Sequence, residues 1–171
     1  RPIKEKICGS DLVSDLCGVS AKKGYSVFLL GAAEGVAVKA AENLKRKYPG
    51  LNIAGTYSPP FGFEKDQYEI DKINKILLDS KADLLFVGMG VPKQDIFIYE
   101  NMYKYQIPMS FSIGATIDFE AGVQKRAPKW INKIGMEWLY RLCSEPKRMF
   151  KRYIIDDLQI VRLVWKYRKV K

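Results

Sequence analysis

Histidine is absent from all 171 residues, which removes the commonest general base and the commonest metal-binding side chain together. Acid–base work in this chain falls to carboxylates, amides or cations. Cysteine is scarce: Cys8, Cys17 and Cys143 are an odd number without metal-ligand spacing, so they read as buried, reduced thiols and exclude a disulfide framework. No stretch approaches the about 18 to 20 apolar residues that cross a bilayer. The opening RPIKEKICGS carries charge where a signal peptide needs an apolar run, so an intracellular protein is expected. The chain begins at Arg1 rather than Met, which leaves room for an N-terminal portion ahead of it. There is no GxxxxGK[ST] phosphate loop, so nucleoside triphosphate hydrolysis has no support.

What is present argues for a folded domain. Apolar residues make up 47% of the chain, enough for a real core. The net charge of +10 is unevenly placed: residues 1–122 hold 15 Lys and Arg against 15 Asp and Glu, while residues 123–171 hold 14 against 4. A neutral body is thus followed by a basic extension suited to a polyanionic or phosphorylated partner.

The body alternates two patterns. SVFLLG (26–31), LNIAGTY (51–57), DLLFVGM (83–89) and IPMSFSIG (107–114) are short apolar runs closed by glycine or polar residues, as buried parallel strands are. Helical spacing fills the gaps, from a Ser10 cap to about Lys23, and over 36–47, 66–78 and 94–105. This alternation predicts an α/β fold, a Rossmann-like, open and mostly parallel sheet with helices on both faces. The expected division is a core over 1–135 and a basic helical C-terminal appendage over 136–171.

Ligands of such sheets bind beyond the carboxyl ends of the strands. FVGMGVPKQD (86–95) is therefore informative: Gly88 and Gly90 let the backbone turn sharply, and Pro92 suits a helix start. Lys93 and Gln94 are expected to face the crevice, Lys93 holding an anion and Gln94 donating to a sugar or phosphate oxygen. The alternative is a tight turn with solvated polar residues. Gly31 and Gly35 do not form GxGxxG, and the next strand ends in Gly55, Thr56 and Tyr57 without a ribose-binding acid. A nicotinamide cofactor is disfavoured, and a close packing turn is the plain reading of these two glycines.

In SIGATIDFEAGVQKRAPKWI (112–131), Asp118 follows a strand end, where it can accept from ribose hydroxyls or a base N–H, or else cap a helix. Lys125 and Arg126 can serve an anion or form a solvated loop pair. The acidic spacing of Glu69 and Asp71 falls early in a helix and reads as a solvated face, so no DxD metal site is expected. Along the C-terminal stretch, Phe150, Ile154, Leu158, Val161 and Trp165 form one stripe, while Arg148, Lys151, Arg152, Arg162, Lys166 and Lys169 form another. This is an amphipathic basic helix, either packing on the body or lying at an anionic membrane surface. Nothing resembles a nucleic-acid recognition motif, so no nucleic-acid partner is expected. Self-association through an exposed apolar patch on the body, giving a homo-oligomer, stays open.

Taken together, CGSDL, FVGMGVPKQD, GATIDFEAG with KRAPKW, and GMEWLYRLCSEPKRMFKRY resemble the WecG/TagA/CpsF glycosyltransferases over nearly the whole chain. The resemblance implies an inverting transfer of N-acetylmannosamine from UDP to the 4-hydroxyl of N-acetylglucosamine on undecaprenyl diphosphate. It places that reaction in wall teichoic acid linkage-unit synthesis, peripherally, at the cytoplasmic face of the membrane. Relatives that use another UDP-sugar, and a non-catalytic or regulatory nucleotide-sugar-binding protein, are the alternatives.

Carried over by position, the resemblance implies Gln94 at the sugar diphosphate and Asp118 at the uridine. Arg141, Arg148 and the Lys151–Arg152 pair correspond to basic residues that close over the site and support the leaving diphosphate. No metal or other cofactor is expected, and arginines are the natural diphosphate clamp because a guanidinium binds two oxygens at once. The family's N-terminal segment, whose PDG motif carries the proposed catalytic base, has no counterpart among these residues.

Overall fold

The computed structural model describes residues 9–125, 128, 131, 136–144, 146 and 158–168. The chain divides into two compact units, residues 1–125 and residues 126–171.

The first unit is built on a four-stranded sheet: β1 (Ser26–Gly31), β2 (Asn52–Tyr57), β3 (Leu84–Gly88) and β4 (Met109–Ser112), in the order β2-β1-β3-β4. Every pairing is parallel. The helices are α1 (Gly9–Lys23), α2 (Val36–Lys47), α3 (Gln67–Ser80), α4 (Lys93–Tyr105) and the short α5 (Thr116–Glu120). Each strand and helix expected in this unit is present, shifted at its ends by at most two residues. Ser10 lies inside the first turn of α1 rather than ahead of it.

β1 is buried at all six positions because it is central and covered on both faces. Its alternate side chains separate the core into two layers. Val27 and Leu29 pack with α1, α2 and α5 through Val13, Cys17, Leu44 and Ile117. Phe28 and Leu30 pack with α3 and α4 through Ile73, Leu77, Phe97 and Tyr105. Each large side chain so buried contributes about 1.5–3 kcal/mol. The β1–β2 register shifts between Val27 and Phe28, where β2 carries one extra residue. A Cβ on the adjacent Gly55 would come 2.6 Å from the Phe28 ring, so that glycine makes room for the ring.

Local chemistry sets the ends. Asp66 caps α3, accepting from the N–H of Tyr68 at 3.0 Å and of Glu69 at 3.4 Å. Lys45, Arg46 and Lys47 close α2 at its negative end. At the opposite edge from the crevice, Asp83 Oδ2 accepts from the backbone N–H of Ser26 at 2.7 Å and from its hydroxyl at 2.8 Å, locking the starts of β1 and β3 together.

Two side-chain expectations are corrected. Glu69 does not lie on a solvated face: it is buried at 7% exposure and accepts from the Tyr57 hydroxyl, with Lys72 Nζ 3.4 Å away. Cys143 is exposed, whereas Cys17 is buried as expected and burial pushes its thiol up to about 12, leaving it a poor nucleophile. Cys8 lies outside the described residues.

In the second unit, α6 (Glu137–Ser144) and α7 (Leu158–Tyr167) are helical. On α7, Leu163, Val164, Trp165 and Tyr167 are all exposed, so its apolar arc is broader than the stripe through Leu158, Val161 and Trp165. No helix among the described residues is long and apolar enough to cross a membrane.

Candidate active site

The strand order reverses between β1 and β3, and their carboxyl ends meet at two glycines. Gly31 has φ 122°, and a Cβ there would sit 2.6 Å from the Gly88 carbonyl carbon. Gly88 lies in β3 without a left-handed turn; its Cβ would come 2.7 Å from the Gly114 carbonyl oxygen and press on Ile117. The expected turning role is therefore corrected: Gly88 serves close approach, and Gly90, with φ 80°, makes the turn into α4. Gly31 is the packing glycine its context suggested. Gly35, also left-handed at φ 77°, has open space where a Cβ would stand.

That open space belongs to a cleft of about 790 Å³ beyond β1 and β2, lined by Ala32, Gly35, Val38, Thr56, Ser58 and Phe61 among others. The Ser58 hydroxyl bridges to the Gly31 and Ala33 carbonyl oxygens, each at 3.1 Å, holding the β2 exit against the β1 exit. Tyr57 at the end of β2 donates to Glu69 and accepts from Lys72 Nζ at 2.6 Å. Burial, then the bond to Glu69, raises the Tyr57 hydroxyl above its ordinary value.

Lys93 opens α4 and pairs with Glu64 at 2.5 Å, its ammonium also 5.0 Å from the Phe61 ring centre. The hydrogen bond from Lys93 holds the Glu64 carboxyl below its ordinary range. Gln94 differs from the sequence expectation: it is 3% exposed, and its side-chain oxygen accepts from the Gly114 N–H at 3.2 Å. It faces inward because the turn at Gly90 starts α4 with this side chain under the loop after β4. Beside it, the Ser112 hydroxyl donates to Asp95 at 2.5 Å. Asp118 is half-buried in the first turn of α5, whose N-cap is Ala115.

Gly88, Gly90, Lys93 and Gln94 are thus brought to one sheet end, with Gln94 reaching the segment that leads to Asp118. Arg141 lies on α6, but its side chain, like Arg126, Arg148, Lys151 and Arg152, is outside the described residues. Sequence reasoning missed Ser58, Phe61 and Glu64. The signal for them is the SPPFGFEKD stretch after β2, where two prolines preset a rigid exit. Among the described residues, no three Asp, Glu or Cys side chains gather as a metal-binding group.

The chain is 36% identical over 149 residues to the N-acetylglucosaminyldiphosphoundecaprenol N-acetyl-beta-D-mannosaminyltransferase of Bacillus spizizenii strain W23, covering 86% of this chain and 55% of that protein. It is 32% identical over 146 residues to the Bacillus subtilis strain 168 protein of the same name, covering 85% and 55%. It spans little more than half the length of both relatives. The family description "Glycosyl transferase WecG/TagA/CpsF family" matches residues 1–171, from α1 through the glycine-lined strand ends to α7, and the chain belongs to that family.

Proposed function

We propose that this chain is the donor-binding and closing part of an inverting glycosyltransferase. It moves N-acetylmannosamine from UDP to the 4-hydroxyl of N-acetylglucosamine on undecaprenyl diphosphate, forming a β-1,4 linkage in wall teichoic acid synthesis. The observation that carries the reading is the cleft of about 790 Å³ beyond the exits of β1 and β2, next to the β1–β3 reversal, in a chain similar over most of its length to transferases of that name.

An inverting transfer needs a base for the acceptor hydroxyl and positive charge for the departing diphosphate. Lys93, beside the Phe61 ring at the rim of the cleft, is assigned to an anion, and Gln94 fixes the loop at Gly114 from beneath. Gly90 turns the backbone into α4, and Gly88 lets the β3 exit pack closely on Gly114. In this reading Asp118 and Arg126 receive the uridine side, and Arg141, Arg148, Lys151 and Arg152 clamp the leaving diphosphate. The base comes from outside these residues. No metal takes part, the sequence having no DxD motif. The basic, apolar α7 rests on an anionic membrane surface at the cytoplasmic face, where the lipid-linked acceptor is presented.

The test uses the full-length protein, with the segment that supplies the base, and offers it UDP-N-acetylmannosamine, UDP-N-acetylglucosamine or UDP-glucose with a short-chain N-acetylglucosaminyl diphospholipid. Mass spectrometry reads the product, and NMR its linkage and anomeric configuration. A β-1,4-linked disaccharide from the first donor supports the reading. UDP binding without any product would favour a non-catalytic nucleotide-sugar-binding protein, and product only from another donor would move the chain to a relative's sugar.

A further inference from the structure

The segment after β2 crosses the carboxyl end of β1 and reaches the start of α4. Ser58 is held on the Gly31 and Ala33 carbonyls. Phe63 packs edge-on against Phe97 of α4, with ring centres 6.2 Å apart. Directly after the second anchor, Glu64 Oε1 lies 2.5 Å from Lys93 Nζ, and the Phe61 ring, between the anchors, lies on the same ammonium at 5.0 Å. The two charged side chains are 36% and 33% exposed, so solutes reach the pair. Phe61 itself is fully exposed at the rim of the cleft. A lysine at the mouth of a crevice thus has two partners of different kinds, one a charge and one a ring.

We infer that Glu64 is a built-in competitor for the diphosphate: its carboxylate holds Lys93 at the crevice, and a phosphate oxygen takes its place on the ammonium during donor binding. The inference rests on the donor-binding reading above and adds to it how the site is emptied. A carboxylate and a phosphate oxygen are both anionic acceptors for the same three donors of an ammonium, so the exchange conserves the charge-assisted bond. An exposed pair of this kind contributes little, which makes the exchange easy in both directions. The Phe61 ring keeps the ammonium from swinging into solvent while its anionic partner changes. After transfer, Glu64 recaptures Lys93 and speeds release of the nucleoside diphosphate.

The experiment is a double-mutant cycle read by calorimetry, titrating UDP and, separately, inorganic pyrophosphate into the wild-type protein, Glu64→Gln, Lys93→Met and the double variant. Glu64→Gln is expected to tighten both ligands by about two- to fivefold. Lys93→Met is expected to weaken both, and adding Glu64→Gln to Lys93→Met should then gain nothing. The inference is overturned if Glu64→Gln leaves affinity unchanged or lower. It is equally overturned if the gain persists alongside Lys93→Met, which would mark simple long-range repulsion of an anion. Coupling seen with pyrophosphate but no UDP binding would sink the donor reading and leave the exchange standing. UDP binding with no coupling would do the reverse, and binding of neither ligand would sink both.

Discussion

The side-chain oxygen of Gln94 accepts the N–H of Gly114 at 3.2 Å, so one buried amide ties the first turn of α4 to the loop after β4. It acts beside the Ser112 bond to Asp95 and the Ile113 N–H bond to the Val87 carbonyl, which join the same two strand exits. Gln94→Ala leaves the Gly114 N–H short of its partner and opens a small void. A stability loss of about 1–3 kcal/mol is expected in urea titrations, together with weaker donor binding. An unchanged midpoint would show that the bond carries no weight.

Gly31 and Gly35 look alike in sequence and differ in the fold. Gly31→Ala would drive a Cβ into the Gly88 backbone, whereas Gly35→Ala meets only conformational strain. Gly35→Ala is expected to cost about 1–2 kcal/mol. Gly31→Ala should cost clearly more and deform the crevice, seen as loss of UDP binding. Equal thermal shifts for the two variants would contradict the packing described here.

Asp83 predicts an acid dependence. Its carboxyl lies below its ordinary value because it accepts from the backbone and then the hydroxyl of Ser26. A group depressed in the folded state contributes stability that is fully present above its unfolded pKa and is lost as pH falls through the folded one. Unfolding free energy should therefore fall below the ordinary aspartate range, and less steeply in Asp83→Asn. Parallel stability–pH curves for the two proteins would refute the assignment.

Tyr57→Phe removes the hydroxyl that donates to buried Glu69 and accepts from Lys72. Lys72 remains beside the carboxylate, so a loss of about 1–2 kcal/mol is expected rather than unfolding. Adding Glu69→Gln should cost less in the Tyr57→Phe background than in the wild type. Strict additivity would mean that the three groups do not act as a network.

The second unit offers a separation of roles. Arg148→Glu should abolish transfer even to a short-chain, water-soluble acceptor, if the basic appendage supports the diphosphate. Trp165→Ser on α7, where Trp165 is 77% exposed, should instead reduce sedimentation with anionic vesicles and spare the soluble reaction. A Trp165→Ser protein that binds vesicles as the wild type does would remove α7 from the membrane contact.

The sequence by itself determined the elements and the kind of sheet. Apolar runs such as SVFLLG and DLLFVGM, separated by helical patterns, leave few alternatives to parallel strands covered on both faces. Its glycines and polar residues also pointed to the strand exits as the place of the candidate residues, and Gly88, Gly90, Lys93 and Gln94 do lie there. Tertiary structure alone decided which way the site residues turn. Whether Gln94 meets solvent or Gly114 depends on where β4 ends, 20 residues along the chain. Gly31 and Gly88 constrain each other only because β1 and β3 become neighbours across α2, β2 and α3. The Glu64–Lys93 pair and the burial of Glu69 have the same origin. Periodicity reads the environment of a side chain along its own element, whereas a charge finds its partner through the topology that brings distant loops together.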